Sequence, residues 1–376
     1  MKPIYLDYAA SAPLRPEVKQ AINRVAKIFG NPNSSHTSGR EALNLADAAR
    51  RQVAEMLNCQ PSEIIFTGSA TEADNLAIKG VALNRGRGHI ITTAIEHKAV
   101  LESCRWLETQ GFTVSYIKPG REGLISAAKI GAAIRPDTIL VSVMYANNEI
   151  GTIQPIRAIG KLIETLNRER THPILFHTDA VQAGNYLNLD TKYLHVDLLT
   201  LSGHKLGGPK GIGCLFARGG VTIAPQMHGG GQERGLRSGT VNVTGAVSMA
   251  AALAAAQKNK AKMYSRHHEW QRDLANHLQQ LPGVEINHPL DASLPNIVNV
   301  SVRGHTSDTL VIGLDRMGIA VSAASACAAG GIEPSYVLQA LHLPQTRATS
   351  SLRISWGWQT KKSDLTALVK VMKKLV

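Results

Sequence analysis

The segment EIIFTGSATE, residues 63–72, sets a pattern that recurs along the chain. Its first half is apolar and β-branched, which predicts a short strand, and Gly68 separates it from a helical pattern that continues to about Asn84. Further strands, most of them separated by helical segments, are predicted at residues 89–93, 113–117, 138–144, 174–177 and 197–201. This alternation predicts an α/β fold with a mostly parallel sheet and helices on both faces. Functional residues are then expected where loops leave the carboxyl ends of the strands.

The pattern changes at about residue 258. A long polar helix is predicted for residues 258–281, and Pro282-Gly283 ends it. Strands at 296–302 and 319–322 and helices at 335–341 and 363–375 follow. We therefore expect a large domain of residues 15–257 and a smaller α+β domain of residues 1–14 and 258–376.

Composition and charge limit the classes of function. The 376-residue chain has 41 Lys and Arg against 28 Asp and Glu, so its formal net charge is +13. A basic surface attracts acidic proteins or anionic cofactors, but aromatic residues are only 5% of the chain and no basic block interleaves with them. Direct nucleic-acid binding is therefore not predicted. No apolar run reaches the ~20 residues that span a bilayer, and the start of the chain lacks a signal-peptide pattern, so we expect a cytoplasmic enzyme without membrane contact.

Cysteine usage points away from metal and disulfide chemistry. The four cysteines lie at positions 59, 104, 214 and 327, and no pair has the spacing of a zinc or thioredoxin-like site. The sequence thus predicts no metal site and no disulfide scaffold.

The strongest local signal is the segment LSGHKLGGPKG, residues 201–211, in which an apolar strand leads a lysine into a glycine-rich turn. A desolvated lysine has a lowered pKa, which an amine needs to form a Schiff base with an aldehyde. Ser202 and His204 beside Lys205 can both hydrogen-bond a phosphate. The glycine spacing does not match that of a phosphate-binding loop with a following Lys-Ser/Thr pair.

Three other positions suit pyridoxal phosphate. Asp179 follows a buried strand, where a carboxylate can keep a pyridine nitrogen protonated, although a strand-end aspartate can also cap a turn. Residues 68–71 open a helix, whose free N–H groups suit a phosphate or form an ordinary helix cap. His97 follows the next strand, and a single histidine there can equally be structural.

Together these segments resemble the NifS/IscS-type cysteine desulfurases of the class V aminotransferase group. The matching motifs, in chain order, are YLDYAA (5–10), GNPNSSH (30–36), ATEADN (70–75), EHKAV (96–100), NNEIG (147–151), HTDAVQ (177–182), SGHK (202–205), HGGG (228–231), RSGT (237–240), SAC (325–327), EPSY (333–336) and Arg353. The resemblance implies fold-type I of the pyridoxal-phosphate enzymes, with a mostly parallel, seven-stranded sheet flanked by helices in the large domain.

The resemblance also implies roles for individual residues. Lys205 would bind the cofactor covalently, Asp179 would pair with the pyridine nitrogen, and His97 would stack on the ring and handle protons. The remaining expected contacts are Gln182 with the ring hydroxyl, Asn148 with the cofactor or substrate carboxylate, Ala70, Thr71, Ser202 and His204 with the phosphate, Thr240 with the phosphate of the other subunit of a homodimer, and Arg353 with the substrate carboxylate.

By the same resemblance, Cys327 receives sulfur from L-cysteine as a persulfide, L-alanine leaves, and an acceptor protein takes the sulfur. Cys327 lies among small residues, in VSAASACAAGGI (321–332), which favours a mobile loop although a cysteine among alanines is commonly a core residue. Cys59, Cys104 and Cys214 lie in or beside helix and strand patterns and are interpreted as structural.

Two departures from the family pattern bear on the acceptor. Ala324 replaces a frequent glycine and Ala-Ala-Gly-Gly follows Cys327, which alters the expected docking surface. The chain also stops at Val376, without the longer tail with which many family members dock an iron–sulfur scaffold. Iron–sulfur assembly, tRNA thiolation and DNA phosphorothioation all remain open as the destination of the sulfur. The alternative functions are a selenocysteine lyase, another class V aminotransferase, or a non-catalytic sulfur-delivery adaptor.

Overall fold

The computed structural model describes residues 3–323 and 334–376. Its strands are β1 (Ile4–Tyr5), β2 (Ile64–Thr67), β3 (His89–Thr93), β4 (Thr113–Ile117), β5 (Thr138–Ser142), β6 (Leu175–Asp179), β7 (Leu198–Ser202), β8 (Gly213–Ala217), β9 (Val284–Ile286), β10 (Ile297–Val302), β11 (Ile319–Ala320), β12 (Ser322–Ala323) and β13 (Ser351–Ser355). Its α-helices are α1 (Pro16–Val25), α2 (Thr37–Leu57), α3 (Ala70–Arg85), α4 (Lys98–Thr109), α5 (Ala127–Ala133), α6 (Ile156–Asn167), α7 (Thr191–Leu194), α8 (Val243–Lys258), α9 (Lys260–Gln279), α10 (Ser307–Arg316), α11 (Tyr336–Ala340), α12 (Gln345–Ala348) and α13 (Lys362–Leu375). Short 3-10 turns lie at Pro61–Glu63, Ala183–Asn185, Gly203–Lys205 and Glu233–Gly235.

The largest sheet of the described residues has seven strands in the order β2-β8-β7-β6-β5-β3-β4. Neighbours from β7 to β4 pair in parallel, whereas β8 runs antiparallel to both β7 and β2. The predicted α/β fold with a mostly parallel sheet is confirmed. Strand β8, the reversed one, was not predicted, because its sequence GCLFA begins and ends with small residues and offers only a short apolar run.

Adjacent residues in these strands serve two different cores, because successive side chains of a strand point to opposite faces of the sheet. Ile91, Phe176 and Phe216 pack with α1, α2, α6 and α8 on one face. Ile90, Leu175 and Leu215 pack with α3 and α4 on the other face. Burial on both faces explains why the strands read as continuous apolar runs rather than as alternating ones.

The C-terminal part of the chain, from α9 onward, forms a second sheet with its own core. This antiparallel sheet has the order β12-β13-β10-β9, and helices α9, α10 and α13 contribute apolar side chains to the core beneath it. The single predicted strand over residues 319–322 is wrong in one respect. Ile319–Ala320 pairs with β1 and Ser322–Ala323 pairs with β13, so the chain changes sheets at the buried Val321. The residue boundaries of the two domains stay a prediction.

The first strand joins the N-terminal residues to this C-terminal part. β1 lies parallel to β11, and Asp7 forms a parallel bridge with Ser355 at the end of β13. The segment that follows, residues 8–15, reaches the large sheet, where Ala12 N donates to His204 O at 3.0 Å. The N-terminal segment therefore runs between the small sheet and the carboxyl edge of the large one.

None of the helices within the described ranges is both long enough and apolar enough to cross a bilayer.

Candidate active site

A cavity of about 590 Å³ opens at the carboxyl edge of the large sheet. Residues that follow β2, β3, β5, β6 and β7 all line it, because the carboxyl ends of these strands lie at the same edge. The lining includes ten residues that the sequence predicted: Ala70, Thr71, His97, Asn148, Asp179, Gln182, Ser202, His204, Lys205 and Arg353. The fold thus brings together residues that are up to 283 positions apart in sequence (353 − 70).

Lys205 lies in the 3-10 turn Gly203–Lys205 directly after β7. Its Nζ donates hydrogen bonds to the backbone oxygens of Ala9, at 2.6 Å, and Ala10, at 2.7 Å. Desolvation, followed by the nearby charge of Arg353, lowers the pKa of Lys205 to about 8. A large fraction of this amine is therefore neutral and nucleophilic near pH 8, as reaction with an aldehyde requires.

Asp179 is the last residue of β6, and its Oδ1 accepts a hydrogen bond from Val181 N at 2.9 Å. Burial raises the pKa of this carboxyl, while the charges of His97 and Lys205 oppose that shift. A cationic ring nitrogen from a ligand would oppose it further, because an opposite charge favours the ionised carboxylate.

His97 caps the N-terminus of α4, and its Nδ1 accepts a hydrogen bond from Ala99 N at 3.2 Å. That bond assigns the proton of the neutral ring to Nε2. The ring presents surface to the cavity, yet the surrounding protein still desolvates it and lowers its pKa. A neutral imidazole at the cavity wall is suited to lie against a flat ligand and to exchange protons with it.

A second buried carboxyl, Asp74 on α3, also lines the cavity. Its Oδ1 lies 3.6 Å from His177 Nε2, and both side chains are buried. Burial and the charge of Asp179 raise the pKa of Asp74 well above the usual range. The charges of His97 and Lys205 oppose the rise in the pKa of Asp179, whereas no cation opposes the rise in the pKa of Asp74.

A further group of cavity residues is suited to an anion. Ala70 and Thr71 form the first turn of α3, whose N–H groups lack acceptors within the helix, and Ser69 caps it by accepting from Glu72 N at 3.1 Å. Ser202 and His204 line the same cavity. Burial lowers the pKa of His204 to about 4, so its ring is neutral and donates one hydrogen bond.

Arg353 reaches the cavity from β13 of the smaller sheet. Its Nη1 donates to Asn148 O at 2.9 Å, and its Nη2 donates to Asp7 Oδ1 at 2.8 Å. Neither Arg353 Nε nor Asn148 Oδ1, both buried, has a hydrogen-bond partner within the described part of the chain. A buried polar atom without a partner costs roughly 1–3 kcal/mol, so both atoms indicate that a polar ligand binds here.

Two predicted residues are not in this cavity. Thr240 is exposed and does not line it, and Cys327 lies outside the described residues. Three residues to which the sequence argument assigned no role do take part: Asp74, and the Ala9 and Ala10 carbonyls that hold Lys205. Asp7 belongs to the motif YLDYAA and Asp74 to the motif ATEADN, but only the structure shows what they contact. Backbone carbonyls leave no sequence signal.

These residues fit pyridoxal 5′-phosphate. The cavity combines an amine with a lowered pKa, a buried carboxyl and an imidazole. It also contains the first turn of a helix, and a guanidinium whose Nε, like Asn148 Oδ1, has no partner among the described residues. An aldehyde, a ring nitrogen, a phosphate and an amino-acid carboxylate would each find a complementary group. Within residues 3–323 and 334–376, no three His, Cys, Asp or Glu side chains converge as metal ligands would.

Comparison with known proteins gives a consistent result. The family model Aminotransferase class-V matches residues 4–368. A Bacillus subtilis protein named putative cysteine desulfurase IscS 1 is 45% identical over 364 residues, covering 95% of this chain and 94% of that protein. A solved structure named NifS-like protein superposes with a TM-score of 0.92 at 36% identity, covering 99% of both chains. The structure titled SspA in complex with cysteine has a TM-score of 0.80 and 38% identity, and covers 94% of this chain and 98% of that one.

Proposed function

Because this chain belongs to the aminotransferase class-V family, we propose that it removes sulfur from L-cysteine, holds it on Cys327 as a persulfide, and passes it to an acceptor protein. The enzyme is a pyridoxal-phosphate-dependent cysteine desulfurase, as are the relatives that it matches over nearly its whole length. The observation that carries the proposal is the placement of Lys205, Asp179 and Arg353 around one cavity.

Each residue has a part in the reaction. When bound, the cofactor supplies an electron sink that weakens the bonds at the substrate Cα and Cβ. The Arg353 guanidinium binds the substrate carboxylate, and Asn148 accepts a hydrogen bond from the substrate or the cofactor. Lys205 Nζ takes the proton from the substrate Cα, since its lowered pKa keeps a neutral amine available. With the cofactor bound, Asp179 would keep a proton on the ring nitrogen, His97 would lie against the ring, and Gln182 would contact its hydroxyl.

Sulfur transfer balances without any external oxidant. The Cys327 thiolate attacks the substrate sulfur, so an S–S bond forms and the C–S bond breaks. The electron pair of the C–S bond stays with the carbon, which takes up a proton to become the methyl group of L-alanine. Cys59, Cys104 and Cys214 are poor candidates for this role, because burial raises each thiol pKa and none lines the cavity.

This reaction predicts a fixed product ratio. The purified enzyme is given L-cysteine and an excess of a reductant that cleaves the persulfide. Because each turnover yields one L-alanine and one sulfur atom, we expect L-alanine and sulfide in a ratio of about 1:1. Amino-acid analysis and a colorimetric sulfide assay measure the two products. L-Alanine without sulfide would contradict sulfur transfer. Formation of 3-mercaptopyruvate that depends on a keto-acid acceptor would favour the aminotransferase alternative. A rate on L-selenocysteine far above that on L-cysteine would instead favour the selenocysteine lyase.

The homodimer belongs to the same proposal. Thr240 is exposed, but its loop is tied to the first turn of α3, because Arg237 Nε lies 2.9 Å from Glu72 Oε1. The loop is thus held close to the anion-binding end of one cavity while Thr240 stays free to reach a second subunit. Phe29, which is 89% exposed, and Met227 offer apolar surface for such contact.

Light scattering on the holoenzyme is expected to give twice the chain mass of 40.4 kDa. The substitution Thr240→Ala is expected to weaken cofactor binding roughly tenfold, as the loss of one hydrogen bond to a charged phosphate does. Equilibrium dialysis of the cofactor measures the change. Thr222→Ala is the matched control, because Thr222 is exposed at the opposite edge of the sheet, beside Asp197 and Arg218. A monomeric mass, or equal affinities in both variants, would contradict this role.

The acceptor is proposed to be a protein with an acidic docking surface, since the enzyme has a net charge of +13. Iron–sulfur assembly, tRNA thiolation and DNA phosphorothioation are all destinations that such an acceptor could serve. A cytoplasmic location fits this role, because reduced thiols persist there.

A further inference from the structure

We propose that Asp7 is a positioning residue for Arg353, which it holds in the orientation that selects substrates with a carboxylate. This inference rests on the proposed function, in which Arg353 binds the carboxylate of L-cysteine. Asp7 stands in the motif YLDYAA, and the reaction described above gives it no role.

The contact between the two side chains is short and sheltered. Asp7 Oδ1 lies 2.8 Å from Arg353 Nη2, and the side chains are only 19% and 7% exposed. The backbone fixes both partners, because Asp7 bridges Ser355, which is two residues after Arg353 on the same strand. An ion pair with little solvent access and fixed backbones keeps its geometry better than a surface pair does.

The contacts of Arg353 leave one edge of its guanidinium for a ligand. Nη2 donates to Asp7 and Nη1 donates to the Asn148 carbonyl, whereas Nε has no partner among the residues that the structure describes. Arg353 lines the cavity that holds Lys205 and Asp179. If Asp7 were absent, the single bond to Asn148 O would let the planar group turn. Asp7 therefore holds the plane of the guanidinium while its Nε edge stays free.

Asp7 also balances the charge of Arg353 at the reactive lysine. The Arg353 cation lowers the pKa of Lys205, and the Asp7 carboxylate raises it. The Asp7–Arg353 pair thus offers directional N–H donors to a substrate carboxylate. Because its two charges oppose each other, the pair places little net charge beside the lysine. Such a site distinguishes ligands with a carboxylate from ligands without one. A ligand that lacks the carboxylate leaves Arg353 Nε without a hydrogen-bond partner.

The test compares two ligands that differ in the carboxylate alone. Calorimetry on holoenzyme carrying Cys327→Ser measures the binding of L-cysteine and of cysteamine, its decarboxylated analogue. Asp7→Ala is expected to weaken L-cysteine binding roughly tenfold or more, and to leave cysteamine within about twofold, because only the carboxylate contact is disturbed. Asp7→Asn is expected to restore most of the L-cysteine affinity, since its amide oxygen can still accept from Arg353 Nη2.

Tyr5→Phe is the matched control. The Tyr5 hydroxyl donates to the backbone oxygens of Asp7 and Ser11, so its loss disturbs the same segment without touching the Asp7 carboxylate. Both ligands are expected to bind this variant within about twofold of the parent.

Three results would overturn the role of Asp7 alone: unchanged L-cysteine binding in Asp7→Ala, an equal loss for both ligands, or no recovery in Asp7→Asn. A parent enzyme with no preference for L-cysteine over cysteamine would overturn the substrate assignment as well. The two failures are therefore distinguishable.

Discussion

Lys205→Ala is expected to lower the rate of L-alanine formation from L-cysteine about a thousandfold or more, as the loss of a positioned base and nucleophile does. Lys205 lines the cavity together with Asp179, and its lowered pKa of about 8 makes it reactive. The variant should also lose the covalent link to the cofactor, so that borohydride treatment no longer adds the cofactor mass to the peptide containing position 205. Amino-acid analysis and peptide mass spectrometry provide the two readouts.

The substitution Lys205→Arg separates charge from chemistry. Arginine keeps a positive charge near Asp179 but does not deprotonate in proteins, so it is expected to be as inactive as alanine at this position. Lys192→Ala, which removes an exposed lysine of α7, is expected to keep full activity. An active Lys205→Arg enzyme would show that Lys205 acts only through its charge.

The pH dependence of cofactor capture gives a second measure of the same residue. Desolvation and the charge of Arg353 lower the pKa of Lys205, so its amine is protonated below about pH 8 and neutral above it. In the cofactor-free protein, the rate of cofactor attachment should therefore rise with pH and level off above about 8. A rate that rises on toward the ordinary lysine pKa of about 10.4 would show that the protein does not tune this amine.

Cys327→Ser is expected to abolish the persulfide and to reduce sulfide release to the background of the buffer, while the cofactor absorbance stays unchanged. A serine hydroxyl keeps the size of the side chain but supplies no thiolate to attack the substrate sulfur. Mass spectrometry after a single addition of L-cysteine measures the persulfide, which adds one sulfur atom to the peptide containing position 327.

Cys59→Ser provides the control for this prediction. Cys59 is half-buried outside the cavity, and burial raises its thiol pKa to about 12, so it holds its proton at neutral pH. Its substitution is expected to leave the persulfide at position 327 intact. A persulfide that forms on Cys59, or that still forms in Cys327→Ser, would show that another thiol carries the sulfur.

Much of the large sheet could be predicted, because its parallel strands, apart from the partly exposed edge strand β4, are buried runs between turn residues. Strands β3 and β4 were predicted to the residue, and β5, β6 and β7 within two residues at each end. Strand β8 escaped prediction because its place is determined by antiparallel pairing with β2 and β7, which no local pattern encodes. The change of sheet at Val321 is a tertiary effect of the same kind.

The candidate site shows the same division. Lys205, Asp179 and His97 stand where strands end, so residue type and strand position together indicated them. The contacts of Ala9 and Ala10 with Lys205, and of Asp7 with Arg353, could not be predicted. They arise where an N-terminal segment meets residues that follow almost 200 and almost 350 positions later in the chain. The predicted phosphate contact of Thr240 depends on a second subunit, and Cys327 lies outside the described residues, so both roles stay predictions.

The N-terminal strand has a consequence for biosynthesis. Asp7 and Arg353 are 346 positions apart, and β1 pairs with β11, at residues 319–320. A ribosome that adds ~5–20 residues per second needs about 20–70 seconds to cover that interval. The first strand lacks its partner until residues 319–320 have been made, and the pocket around the lysine lacks Arg353 until the end of the interval. Capture of the cofactor in the finished pocket is therefore one of the last events in the maturation of this enzyme. The nascent chain must keep its leading strand from foreign pairing until then.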